Sequence, residues 1–102
     1  MMAVHPLVLS LAALACAVAP AAFGQPLDAR ALAATCASCH QPGQPLPPAL
    51  HGRDRSELLA ALEAFRSGAR AGTVMPQLAR GYSLAQLEAI AAWYAMQPAH
   101  ER

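Results

Sequence analysis

The chain has 102 residues, enough for at most one domain. Seven arginines and six acidic residues, with no lysine, leave a formal charge of +1, so there is no concentrated basic face for nucleic acid. The same balance excludes long-range steering of partners by a large net charge.

The first element is an uncharged run, LVLSLAALACAV, over residues 7–18. It is too short to span a bilayer as a helix and matches the apolar stretch of an export signal. Small residues follow, and Ala22-Phe23-Gly24 places the expected cleavage after Gly24, with the segment after Ala19-Pro20-Ala21 as the alternative. The leading MMAVHP departs from the usual pattern in having no Lys or Arg. Residues 1–24 are therefore read as a signal peptide, residues 25–102 as the functional domain, and the location as periplasmic. Ala13-Leu14-Ala15-Cys16 faintly resembles a lipoprotein cleavage box with Ala and Leu reversed. Cys16 is read as an ordinary residue of the signal, with lipidation as the alternative.

Residues 25–102 hold few large apolar side chains and many Ala and Pro. A domain of roughly 80 residues buries only about 60–65% of its unfolded surface, so a disulfide, metal or cofactor is expected to complete the core. Only Cys36 and Cys39 remain outside the signal, and a disulfide between them would close too short a loop to stabilise much.

A first helix is predicted over 28–39, capped by Asp28, with Ala29, Leu32, Ala33 and Cys36 spaced three and four apart. Four prolines and two glycines in 41–53 exclude a regular helix or central strand there. A second helix starts at Asp54, with Glu57 completing a reciprocal capping box. Leu58, Leu59, Leu62 and Phe65 form its apolar face, Glu57, Glu63 and Arg66 its outer face, and it ends near Ser67-Gly68. A loop with Gly68, Gly72 and Met75 follows. Pro76 opens a brief turn that Gly81 ends. Ser83 and Gln86 form a capping box for the last helix, whose inner face is Leu84, Leu87, Ile90, Ala91 and Tyr94, and Pro98 closes it. With no alternating pattern and no repeat, the domain is expected to be all-α.

Cys36-Ala37-Ser38-Cys39-His40 carries the chemistry. C-x-x-C-H reads as a covalent c-type haem attachment: thiols three apart on one helical turn can add to the two vinyl groups of one porphyrin edge, and the adjacent His reaches the iron. A redox dithiol would need a preceding strand. A structural zinc site would need four closed ligands, drawing in His51 and His100 at irregular spacing. Met75, in a Gly-rich loop before Pro76, is the expected sixth ligand, since Met/His ligation raises the potential and fills both axial sites. His51 is the alternative, in a bis-His haem, although its expected place is in a loop facing solvent or a propionate. His100 has no visible role. Met96 is read as apolar filler, and Trp93 and Tyr94 as packing between the first and last helices, with a side contact to the haem open.

These residues resemble class I cytochromes c across nearly all of residues 25–102. The marks are Cys36 to His40, Pro48-x-Leu50-x-Gly52, the loop Met75 and the closing amphipathic helix. The resemblance implies a fold of helices and Pro/Gly-rich loops around one haem c, with the first and last helices crossing. It also implies that the Pro48 carbonyl accepts a hydrogen bond from His40 and so orients it. Phe65-Arg66-Ser67-Gly68, Gly72-Thr73-Val74-Met75-Pro76 and Arg80-Gly81-Tyr82-Ser83 look like the cytochrome subunit of flavocytochrome c sulfide dehydrogenase and its monohaem relatives. That likeness implies a partner such as an FAD subunit that oxidises sulfide. A single haem motif excludes the two-haem versions.

The expected function is one-electron transfer by an outer-sphere mechanism, with no catalytic acid, base or nucleophile. The carrier would be either a subunit docked on a flavoprotein dehydrogenase or a diffusible shuttle. A haem sensor or small peroxidase with an open sixth site is the competing class, and Met75 speaks against it.

Overall fold

The computed structural model describes residues 27–99. The expected signal segment 1–24, with its expected cleavage point and Cys16, and His100 lie outside the described residues. Four helices follow one another: α1 (Ala29–Ala37), α2 (Arg55–Ser67), α3 (Met75–Ala79) and α4 (Leu84–Ala95). There is no strand among the described residues, so this part of the chain is all-helical. No helix among them is long and apolar enough to cross a membrane.

Each of the three longer helices begins where a short polar side chain takes a backbone amide that the helix itself cannot satisfy. The Asp28 carboxylate accepts from the Ala31 amide at 3.1 Å, and that of Asp54 accepts from the Glu57 amide at 3.0 Å. At α4 the expected reciprocal box is complete: the Gln86 amide donates to Ser83 Oγ at 3.2 Å, and the Ser83 amide to Gln86 Oε1 at 2.8 Å. At α2 the reciprocal half expected of Glu57 is not made. Two carboxylates repel at such a cap, and the Ser56 hydroxyl donates to Asp54 instead.

The helix ends explain how the connecting segments are aimed. α1 stops at Ala37, two residues before the expected end, because Ser38 Oγ donates to the Thr35 carbonyl at 2.7 Å. The amides of Cys39 and His40 both turn back onto the Cys36 carbonyl, at 3.2 and 2.9 Å. α2 ends at Gly68, whose φ of +85° is the left-handed conformation that favours glycine. α3 begins at Met75 itself, because Pro76 occupies the first turn and the amides of Gln77 and Leu78 both reach the Val74 carbonyl. Met75 is thus the first helical residue, where the sequence pattern places it in the loop.

α4 is the hub. Leu87, Ile90, Ala91 and Tyr94 are buried on it; α1 packs against it with Ala33 fully buried, and α2 with Leu58 buried. Each buried Leu or Ile contributes about 1.5–3 kcal/mol. Leu32, Cys36, Leu50, Leu59, Leu62, Tyr82 and Trp93 pack around this centre, and α3 packs on α2. Two apolar residues depart from their expected places. Leu84, at the first position of α4, is 43% exposed and opens onto a groove beside Ala60 and Ala64 of α2. Met96 lies past the end of the helix and is 75% exposed, so it fills no gap.

The loop after α1 is tied to α4 by backbone. The Gly52 amide donates to the Tyr94 carbonyl at 2.9 Å. Gly52 has φ of +71°, and a Cβ there would stand 2.7 Å from Ala99 Cα, so no larger residue fits.

Candidate functional site

The packing of four short helices leaves a large cleft. It encloses about 740 Å³, its wall is mostly apolar, and α1, α2, α3, α4 and both long loops contribute to it. All five candidate residues, Cys36, Cys39, His40, Pro48 and Met75, line this one cleft. A volume of this size falls in the range of small-molecule and cofactor sites.

The end of α1 delivers the two cysteines. Cys36 is half-buried and Cys39 exposed, and both are free thiols. Burial pushes the Cys36 thiol up; a backbone hydrogen bond partly opposes this, and the neighbouring Cys39 adds to it. A raised pKa keeps the group as a thiol at neutral pH and unreactive toward casual oxidation or metal capture.

His40 follows directly, and its Nδ1 lies 2.7 Å from the Pro48 carbonyl oxygen. A carbonyl can only accept, so the proton sits on Nδ1 and the lone pair is on Nε2. That is the tautomer a metal ligand needs, with the second nitrogen held by a backbone acceptor. Met75 places a thioether on the same cleft from the start of α3, half-buried. Leu58, Leu62, Phe65, Leu78 and Ile90 supply apolar wall, and Arg53, Glu57 and Arg70 are its charged members.

These residues fit a haem on the chemistry of the donor set. Two thiols sit at one helix end, an imidazole is hydrogen-bonded through Nδ1 and leaves Nε2 free, and a thioether comes from a separate element. No three His, Cys, Asp or Glu side chains converge among the described residues, and His100, which a zinc set would draw in, lies outside them. The described residues that lead to Cys36 are helical from Ala29 onward.

His51 is the clearest departure from expectation. It does not line the cleft and is half-buried. Its ring meets Tyr94 edge-on at 5.1 Å and Trp93 at 6.3 Å, and its Nδ1 is buried without a partner. The bond from Gly52 to Tyr94 draws this segment onto α4. Tyr94 lines the cleft, while Trp93 does not. Sequence reasoning also passed over Arg70, whose guanidinium lies 4.6 Å from the Phe65 ring centroid; the five-residue spacing of the two gives no helical signal.

No protein-family model matches the chain, and no curated protein matches it either.

Proposed function

We propose that this chain is a monohaem c-type cytochrome of class I fold, a periplasmic one-electron carrier. The observation that carries the reading is the bond from His40 Nδ1 to the Pro48 carbonyl in a cleft that both cysteines and Met75 also line. When bound, the haem supplies a one-electron Fe(III)/Fe(II) couple. The chain's own residues do the rest. Cys36 and Cys39 would hold the ring through their sulfurs, and His40 Nε2 and the Met75 sulfur would ligate its iron. The Pro48 carbonyl holds the imidazole in orientation, and the apolar wall would limit the access of water to the site. Ligation by His and Met would raise the potential, which suits electron transfer and disfavours oxygen chemistry.

The partner is a redox protein, of which an FAD-containing sulfide-oxidising dehydrogenase subunit is the leading example. Docking as a subunit and diffusing as a shuttle are both compatible with this reading; Val74 and Leu78, 58% and 46% exposed, line the cleft.

The test is a visible spectrum, ferric and reduced, of protein exported in a strain with haem-attachment machinery, beside that of Met75→Ala. A covalent low-spin haem with a thioether-to-iron charge-transfer band, lost in the variant, is expected. A high-spin haem, or a variant with an unchanged band, removes Met75 and brings forward the sensor or bis-His reading. Protein with no covalent haem overturns the proposal.

A further inference from the structure

The residues between α2 and α3 must deliver Met75 to the cleft, yet little backbone bonding holds them there. The Gly68 amide reaches the Phe65 carbonyl at 3.3 Å and the Arg70 amide the Ala64 carbonyl at 3.0 Å. The next bonds are those onto the Val74 carbonyl, inside the start of α3. Among the described residues, 71–73 make no backbone hydrogen bond. Their position is set by side-chain contact.

That contact converges on Phe65, in the last turn of α2 and on the cleft wall. The Arg70 guanidinium lies over its ring at 4.6 Å from the centroid. Gly72 also approaches it closely: a Cβ on Gly72 would stand 3.3 Å from Phe65 Cε1 and 3.2 Å from Cδ of Pro76. Pro76, the residue after Met75, is buried. The ring therefore carries the Arg70 guanidinium, and Gly72 passes so near the ring and Pro76 that a Cβ there would fit only if its neighbours shifted. A flat, rigid side chain is well suited to this, since it offers a large face at little conformational cost.

We propose that Phe65 is the positioning residue for Met75. It is the surface against which Arg70 and Gly72 are held, so that the thioether keeps its place on the cleft. Removing the ring frees the loop while leaving Cys36, Cys39 and His40, which belong to α1 and its exit, where they are. This inference rests on the reading of Met75 as an axial ligand.

The experiment titrates the exported holoprotein with imidazole, an external ligand that competes with Met75. Wild type is compared with Phe65→Ala, Phe65→Leu and Arg70→Gln, and the thioether-to-iron band is followed throughout. Imidazole should bind about tenfold or more tightly in Phe65→Ala than in wild type. In Arg70→Gln, where the cation–π contact alone is lost, it should bind about two- to fivefold more tightly. Covalent attachment should be retained in both. Unchanged imidazole affinity in both variants overturns the proposal. If Phe65→Ala fails to accumulate, Phe65→Leu and the exposed-site variant Arg70→Gln decide by the same readout.

Hydrogen exchange separates this inference from the reading beneath it. The Arg70 amide should exchange faster in Phe65→Leu, while the amides of Leu87 and Ile90 in α4 stay unchanged. If Met75→Ala leaves the wild-type spectrum intact but the Arg70 amide does respond, the loop clamp stands and the ligand assignment fails. If the amide does not respond, the clamp itself is wrong.

Discussion

At Tyr94 the side chain and the main chain bond in different directions. The hydroxyl donates to the Ala33 carbonyl at 2.7 Å, and the Tyr94 carbonyl accepts from Gly52 at 2.9 Å. Replacing it with Phe leaves the Ala33 carbonyl without its partner in a buried setting, and the loss should be about 1–2 kcal/mol, read by urea denaturation. Burial, with a smaller contribution from Cys36, pushes the Tyr94 hydroxyl up to about 12. The folded state thus favours the protonated phenol. That stability is fully present below the ordinary phenol value near 10 and is lost as pH rises toward 12. Wild type should lose stability across this alkaline window, and Tyr94→Phe should lose less. The same bond argues against a redox role for the ring. A carbonyl cannot take the phenolic proton, so oxidising Tyr94 would leave that proton with no acceptor.

At the scale of the helix, the ends carry more information than the faces. Ser83→Ala removes the acceptor for the Gln86 amide, one half of the reciprocal pair, and should cost about 1 kcal/mol in thermal or urea unfolding. Gly68→Ala places a Cβ at φ of +85° and should cost about 1–2 kcal/mol by the same measurement. Both caps were legible in the sequence because their geometry is local: a Ser, Asp or Gly acts within three or four residues of itself. The same holds for Asp28 and Asp54. At α3, which has no capping side chain, the proline still marked the start to within one residue: the turn expected from Pro76 begins at Met75. Leu84 and Met96, by contrast, were misplaced. Periodicity says which way a residue faces, but not whether a neighbouring helix is there to meet it.

For the whole molecule, only seven hydrophobic residues among those described are buried, beside a cleft of about 740 Å³. A cofactor bound in a cleft that large would add substantially to the core of so small a domain. Ligand binding stabilises whatever state it favours, so if the proposed haem fills the cleft, chain made without it should lose its cooperative thermal transition. Circular dichroism of Cys36→Ser/Cys39→Ser against the exported wild type would read this directly; equal melting of the two would contradict it. The five residues picked from the sequence line one cleft: Cys36, Cys39 and His40 come from one contiguous pentapeptide, and Pro48 and Met75 stand in distinctive settings. His51 and the Phe65 contacts were not. They depend on which distant elements meet, which a single sequence does not encode locally.

The bond between Tyr94 and Ala33 spans 61 positions, and it joins the first helix to the last. A ribosome makes Ala33 well before Tyr94. Until α4 has been synthesised, the nine residues of α1 have nothing to pack on, and a helix that short is marginal in water by itself. Cys36, Cys39 and His40 therefore emerge on a segment with no settled conformation. An enzyme that joins haem to these thiols would meet a pliable peptide and not a finished pocket. If the chain is exported N-terminus first, as the proposed location implies, residues 36–40 arrive ahead of the helix that closes over them.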